Sequence, residues 1–293
     1  MILTLNHLLL RAPQPPSQPP LLLIHGLFGS LDNLGQLARA LNPQRDVLLV
    51  DLRNHGQSPH TPEMNYDLLA EDLIALIDAY GLAPLDIIGH SMGGKAAMRL
   101  AALAPQRLRR LVVLDMAPVA YPTRRHDAVF AALNAVQTAA VQTRPQAAQI
   151  LRRFLQQEGV VQFLLKSFYQ GRWRFNLAAL QQHYPQILGW QPQAPHPGAT
   201  LFIKGADSPY ILDDYREAIA RQFPCARAHV VSVAARRTAR QRPARGAPLS
   251  RSPLRRRGVK RPADRIVPSS VRERAPTPIR DCRCSTPWGM MAR

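Results

Sequence analysis

The chain has 293 residues, a formal net charge of +19 and three cysteines. That length is enough to bury a large core, and three unevenly placed cysteines exclude a disulfide framework and a four-ligand structural zinc site. The charge is unevenly distributed, because residues 233–293 carry 17 basic and three acidic side chains while residues 1–232 carry 21 and 16. The basic excess therefore belongs to the C-terminal segment and does not characterise the rest of the protein.

The N-terminal run at residues 1–10 is apolar, but no Lys or Arg precedes it and no small-residue cleavage site follows it. We therefore interpret it as a first β-strand rather than a signal peptide. No run reaches the roughly 18 continuous apolar residues of a membrane span. The sequence thus predicts a cytoplasmic protein that makes no membrane contact.

Short apolar runs then alternate with helical patterns along the chain. The runs lie at residues 21–24, 47–50, 85–88, 111–114, 200–203 and 228–231. Runs that lack polar alternation suit strands buried on both faces, so the predicted fold class is α/β with a mostly parallel, doubly wound sheet. One helix is delimited by Asn65 as its N-cap and Gly81 at its end.

The alternation stops between residues 122 and 197, where only helical patterns occur. Helices inserted between two strands of such a sheet are predicted to form a lid over its C-terminal edge, where active sites lie. The predicted organisation is therefore a core of residues 1–121 and 198–232, a helical lid of residues 122–197, and a basic tail of residues 233–293. Five lid aromatics are predicted to form the core of the lid for the most part and an apolar substrate wall for the rest. They are Phe163, Phe168, Tyr169, Trp173 and Phe175.

The first motif that carries chemistry is Gly89-His90-Ser91-Met92-Gly93-Gly94, which follows an apolar run and precedes a helical pattern. This is G-x-S-x-G in a strand–turn–helix context, the nucleophile elbow of serine hydrolases. The hydroxyl of Ser91 is the predicted nucleophile, and the helix that begins behind it favours negative charge on a substrate oxygen. His90 is predicted to pack at the substrate side rather than to act as the base, because neighbours on such a turn point apart.

The second motif is His25-Gly26-Leu27-Phe28-Gly29, which directly follows the run at residues 21–24. A glycine-bearing loop at a strand end can turn a backbone N–H toward the site and form an oxyanion hole with the N–H of Met92. Leu27 is the predicted second donor, and Phe28 is its predicted substrate-side neighbour.

Both motifs, with several further segments, resemble the α/β-hydrolase superfamily and, within it, the YbfF-type bacterial esterases. The matching segments are residues 21–30, 51–56, 89–94, 115–118, 124–127, 162–168 and 173–176. The resemblance covers nearly all of residues 1–232. It implies a bacterial enzyme that hydrolyses small-molecule esters or thioesters with short to medium acyl chains, has a helical lid, and requires no metal or other cofactor.

Two aspartates compete for the acid of a catalytic triad, which holds and charge-stabilises the base. Asp115 follows the run at residues 111–114, and Asp207 follows the run at residues 200–203. The commoner placement in the superfamily favours Asp207, whereas the placement in the YbfF-type esterases favours Asp115. We favour Asp115 and keep Asp207 as the alternative.

The base itself is missing from its expected place. In this fold a histidine follows the last strand, which predicts it near residues 235–237, but the chain has Ala235, Arg236 and Arg237 there. Arginine stays protonated and cannot accept the serine proton. The last histidine, His229, falls on the predicted strand itself and is interpreted as a strand residue.

Residues 233–293 are rich in Arg, Pro, Ala and Ser, a composition typical of disorder. The abrupt change inside a family motif favours GC-rich coding DNA read out of frame over a functional basic arm. The sequence therefore predicts a serine esterase impaired by the loss of its base. The alternatives are a catalytically inactive ligand-binding protein of hydrolase fold and, less favoured, a protein that binds nucleic acid through its tail.

Overall fold

The computed structural model describes residues 1–232, which form a seven-stranded sheet, a two-stranded hairpin and the helices around them. The strands are β1 (His7–Leu10), β2 (Leu21–Ile24), β3 (Val47–Val50), β4 (Leu85–His90), β5 (Leu108–Leu114), β6 (Phe168–Tyr169), β7 (Arg172–Trp173), β8 (Ala199–Gly205) and β9 (Ala226–Val231). The sheet order is β1-β3-β2-β4-β5-β8-β9, and β6 pairs with β7 apart from it.

All neighbours in the large sheet are parallel except β1, which runs antiparallel to β3. Every residue of β2 and β3 is buried, as expected for central strands with helices on both faces. The predicted α/β class with a mostly parallel sheet is confirmed.

The helices are α1 (Gly35–Leu41), α2 (Tyr66–Ala79), α3 (Met92–Leu103), α4 (Asp127–Thr138), α5 (Arg144–Phe154), α6 (Glu158–Lys166), α7 (Leu177–Gln182), α8 (Tyr184–Leu188) and α9 (Arg216–Gln222). Helix α2 begins as predicted, since the Asn65 side chain accepts a hydrogen bond from the Leu68 N–H at 2.9 Å. It ends as predicted as well, with Gly81 at φ +59° in the left-handed region that glycine favours.

Helices α4 to α8 and the β6–β7 hairpin all lie between β5 and β8 in the chain, and we call residues 122–197 the helical insertion. Its aromatics are mainly its own core: Phe168, Trp173 and Phe175 are buried, and the Trp173 indole N–H donates to the Leu133 carbonyl at 3.2 Å. Tyr169, by contrast, is half exposed. No helix within residues 1–232 is long and apolar enough to cross a membrane.

Candidate active site

Ser91 lies on a sharp, strained turn between β4 and α3. Its backbone has φ +52° and ψ −120°, a conformation that costs a non-glycine residue on the order of 1–3 kcal/mol and is concentrated at functional sites. The turn is held by the Ser91 N–H, which donates to the Leu114 carbonyl at the end of β5 at 2.9 Å. The side chain of Ser91 is partly exposed at the C-terminal edge of the sheet.

Two glycines make this turn sterically possible. A Cβ on Gly89 would lie 2.4 Å from the Gly93 carbonyl oxygen, and a Cβ on Gly93 would lie 2.3 Å from the His25 carbonyl oxygen. Both distances are far below van der Waals contact. The glycine spacing of the motif therefore has a steric cause, the close approach of the β4–α3 turn to itself and to the end of β2.

The loop of residues 25–29, which we call the oxyanion loop, lies directly against the turn. A Cβ on Gly26 would be 3.0 Å from the His90 Nδ1 and 3.2 Å from the Ser91 Cβ. The Phe28 N–H donates to the His55 Nε2 at 3.3 Å, whereas the Leu27 N–H has no acceptor within the described residues. Of these two N–H groups, that of Leu27 is available to a ligand.

The Met92 N–H is available for a different reason. Met92 is the first residue of α3, and the first N–H groups of an α-helix have no intrahelical acceptor. The positive end of the helix dipole adds to the attraction for an anionic oxygen at this point. Both predicted donors, the Leu27 and Met92 N–H groups, thus lack an acceptor within residues 1–232, and Gly26 beside Leu27 lies against Ser91.

Two buried histidines make hydrogen bonds at the oxyanion loop: His25 begins the loop, and His55 contacts it. Neither of them was predicted from the sequence to have a role. The His25 and His55 rings lie 5.1 Å apart. The His25 Nε2 accepts from the Leu52 N–H at 3.0 Å, and the His55 Nδ1 lies 3.0 Å from the Arg53 carbonyl. Burial, and secondarily the neighbouring His25, lowers the pKa of His55 to about 3, so His55 is neutral. Because its Nε2 accepts the Phe28 N–H, its proton lies on Nδ1.

The two candidate aspartates occupy different environments. Asp115 is half-buried at a left-handed turn, φ +58°, with its N–H donating to the Ile203 carbonyl at 2.7 Å. Its Oδ1 accepts from the Gly205 N–H at 3.4 Å. Asp207 is exposed, and its carboxylate makes no hydrogen bond or ion pair within residues 1–232.

The charge of Asp115 also reaches the residue beside Ser91. Desolvation by the surrounding protein lowers the pKa of His90, and the Asp115 carboxylate raises it in opposition. The His90 ring remains open to solvent at one side. Asp115, rather than Asp207, is therefore the carboxylate electrostatically coupled to the elbow.

No general base is in place beside Ser91 in the described part of the chain. The Ser91 hydroxyl makes no hydrogen bond within residues 1–232, either to the neighbouring His90 or to any other residue there. His229 lies on β9 opposite Ile203 and is exposed, so it is a strand residue as predicted. The expected position of the base, residues 235–237, lies outside the described residues, as does the whole of the predicted basic tail.

A buried lysine, also missed by sequence reasoning, connects α3 to the helical insertion. Lys95 is fully buried, and its ammonium donates to the Leu188 and Gly189 carbonyls at 2.8 Å each. The same ammonium lies 4.8 Å from the centre of the Tyr121 ring and 5.9 Å from that of Trp190. Burial lowers the pKa of Lys95 to about 7.

Within residues 1–232 no group of three or more His, Cys, Asp or Glu side chains is placed to hold a metal ion. The site itself offers a strained serine, two backbone N–H groups and the carboxylate of Asp115. A mostly parallel sheet with a strand–turn–helix elbow at its C-terminal edge defines an α/β-hydrolase class of protein.

Residues 19–236 match the sequence model of the alpha/beta hydrolase fold family, and the chain belongs to that family. It is 54% identical to esterase YbfF of Escherichia coli strain K12 over 217 residues, covering 73% of this chain and 85% of the relative. It is 40% identical to the sn-1-specific diacylglycerol lipase ABHD11 of Mus musculus, covering 73% of each chain.

A solved structure described as a marine microorganism esterase is similar with a TM-score of 0.74 and 33% identity, covering 79% of this chain and 92% of that one. Together these relatives make the chain a carboxylic ester hydrolase by family, with small-molecule esters as its substrate class.

Proposed function

We propose that this protein is built as a serine esterase that forms an acyl-enzyme on Ser91, with esters or thioesters of short to medium acyl chains as substrates. The observation that carries the proposal is the position of Ser91. It stands on a strained turn at φ +52° directly before α3, and the Leu27 N–H, in the loop packed against that turn, has no acceptor within the described residues.

In the proposed mechanism the Ser91 Oγ attacks the carbonyl carbon of the ester. The negative charge that develops on the carbonyl oxygen is stabilised by the Leu27 and Met92 N–H groups. The alcohol or thiol leaves, and water then hydrolyses the acyl-serine. Each transfer of the Ser91 proton requires a base.

Asp115 is the proposed acid of the triad, whose role is to orient and charge-stabilise that base. Its N–H and carboxylate are both tied to β8, through Ile203 and Gly205, which supports a fixed orientation at the sheet edge. Asp207 remains the alternative, and its exposure and lack of partners within residues 1–232 count against it.

The helical insertion is proposed to act as the lid of this site. Phe28, next to the proposed oxyanion donor, packs against Phe130 of α4 at 5.3 Å and against Phe175 at 5.2 Å between ring centres. Aromatic side chains from the insertion therefore surround the oxyanion loop, which suits an apolar acyl chain. The preference for short to medium chains comes from the family resemblance.

The activity of this chain is proposed to be severely impaired, because no histidine follows His229 in the sequence. Loss of the triad histidine in a serine protease costs on the order of a million-fold in turnover, while the oxyanion hole retains a small part of the catalysis. A non-catalytic protein that binds acyl ligands is the second candidate function, favoured by the same missing base.

The test is hydrolysis of p-nitrophenyl butyrate by three proteins: the chain as it stands, its Ser91→Ala variant, and a chain in which the gene is read in another frame after the codon for Ser232. The chain as it stands is expected to hydrolyse the ester at a rate near that of its Ser91→Ala variant. A chain whose frame restores Gly-x-Gly-His is expected to be at least about ten-thousand-fold faster than the chain as it stands.

Ordinary esterase turnover by the unaltered chain, abolished by Ser91→Ala, would support the nucleophile and refute the impairment. Ordinary esterase turnover that persists in Ser91→Ala would refute the proposed nucleophile. If the other two frames contain no such histidine, binding of a butyrate-like ketone, measured calorimetrically, decides in favour of the ligand-binding alternative.

A further inference from the structure

Within the oxyanion loop, the backbone of Phe28 adopts a conformation that a phenylalanine does not favour by itself. Its φ is +61°, in the left-handed region that costs a residue with a bulky side chain about 1 kcal/mol or more. The ring is 2% exposed. A strained, buried residue next to the proposed Leu27 donor stays in place only if surrounding groups hold it there.

From the core side, the group that holds Phe28 is His55. The His55 Nε2 accepts the Phe28 N–H at 3.3 Å, and the opposite nitrogen, Nδ1, is fixed on the Arg53 carbonyl at 3.0 Å. Because the Phe28 N–H is bound in this way, it cannot turn toward a substrate. The N–H that has no acceptor within the described residues is that of Leu27, in the preceding peptide.

From the other side, the groups that hold Phe28 all belong to the helical insertion. Ser167, which ends α6 and is 3% exposed, donates from its Oγ to the Phe28 carbonyl at 2.9 Å. The Phe28 ring packs edge-on against Phe130 and lies tilted against Phe175. The two residues of this hydrogen bond lie 139 positions apart in the sequence, so the contact between the loop and the insertion exists only in the folded protein.

The insertion also contacts the segment that carries His55. The Asn176 N–H donates to the Asn54 carbonyl at 2.9 Å, and His55 forms an isolated antiparallel bridge with Phe175. A displacement of the insertion would therefore release the Phe28 carbonyl through Ser167 and disturb the His55 support at the same time.

We propose that Ser167 and His55 are positioning residues that fix the Leu27–Phe28 backbone between them, so that the oxyanion hole takes its competent shape only while the insertion is packed on the core. Substrate entry beneath the insertion and formation of the oxyanion hole are then coupled through one residue, Phe28. This inference rests on the proposed function, because it concerns the same oxyanion hole.

The experiment is hydrogen–deuterium exchange of the full chain, followed at the backbone amides of residues 26–30. Ser167→Ala is expected to speed exchange there about five- to tenfold, the effect of losing one buried hydrogen bond. Amides in α2, which touches neither Ser167 nor Phe28 by hydrogen bond, are expected to keep their rates. Ser167→Thr, which keeps the hydroxyl, is expected to restore the protection.

Thr200→Val is the matched control. Thr200 is also buried, at 4% exposure, and its hydroxyl also bonds a carbonyl, that of Gly198 at 3.2 Å, but it does not contact the oxyanion loop. Exchange at residues 26–30 is expected to be unchanged in this variant. Unchanged exchange there in Ser167→Ala, or an equal increase in all regions, would overturn the proposal.

A second readout separates this inference from the proposed function. Labelling of Ser91 by a fluorophosphonate, followed by mass spectrometry, is expected to be slower in Ser167→Ala than in the parent and unchanged in Thr200→Val. Absence of labelling in the parent would agree with the missing base, and the exchange data would then decide alone on the coupling between Ser167 and the loop.

Discussion

The first prediction concerns the pH dependence of the free energy of unfolding. It depends on Lys95, whose ammonium is buried against the end of the helical insertion. Replacing it by methionine keeps the length of the side chain and removes the titration. The Lys95 pKa falls from 10.5 to about 7 on burial, and a difference of that size corresponds to about 5 kcal/mol between the two protonation states. The folded protein thus binds this proton more weakly than the unfolded chain does.

The direction with pH follows from linkage. Between pH 7 and 10.5 the unfolded chain binds more protons at this site, so the free energy of unfolding rises with pH over that interval. Below pH 7 the full cost of burying the ammonium applies, and above pH 10.5 it vanishes. Between pH 7.5 and 9.5 the parent is expected to gain about 2 to 3 kcal/mol relative to Lys95→Met.

The groups that face the Lys95 ammonium do not titrate in that window. Burial raises the pKa of Tyr66 and of Tyr121 well above the ordinary value of tyrosine, and the remaining partners are the Leu188 and Gly189 carbonyls and the Trp190 ring. The measurement is urea unfolding of both proteins at several pH values. Parallel stability curves would refute the reasoning and show that carbonyls and rings retain the proton on the folded protein.

Two further predictions concern the carboxylates. Because the Asp115 charge raises the pKa of His90, Asp115→Asn should lower that pKa further, whereas Asp207→Asn should leave it unchanged; NMR titration of the His90 ring decides, and an effect of Asp207 alone would favour the other acid. Asp72→Asn should destabilise the fold by about 3–5 kcal/mol in urea unfolding, because the buried Arg53 loses a bidentate partner at 2.7 and 2.9 Å. A loss below about 1 kcal/mol would mean that Arg53 finds another partner.

The central strands were predicted from the sequence with correct bounds, but others were not. Strands β2 and β3 are continuous apolar runs, so composition alone delimits them. Strand β5 begins at Leu108, three residues before the predicted start, because Arg109 and Arg110 interrupt the apolar pattern. Arg109 lies at the limit of ion-pair distance from Asp86 on the neighbouring strand, 3.9 Å, and this proximity is visible only once the strands are paired.

Residues 177–188 show an apolar helical pattern throughout but form two helices. Helix α7 ends at Gln182 and α8 starts at Tyr184, with Pro185 in its first turn. Proline is favoured there because the N–H it lacks would have no acceptor at a helix start. The signal for the break was present in the sequence, and the apolar period obscured it.

The candidate site also has features that the sequence predicts and features that only the structure shows. The elbow at Ser91, the α3 N-terminus at Met92 and the loop at Leu27 are each encoded by a few consecutive residues, since glycine spacing and strand–helix order determine local turns. The different surroundings of Asp115 and Asp207 became visible only in the structure, because both residues follow strands in the sequence.

The sequence by itself determined the α/β class, the strained serine and the absence of any histidine after His229, because each depends on local pattern or on composition. Only the tertiary structure showed the hydrogen-bond partners of His55, Ser167 and Lys95. Their partners lie 27, 139 and 93 residues away along the chain. Hydrogen bonds over such separations depend on how the sheet, the loop and the insertion pack together, and a linear pattern carries no record of that packing.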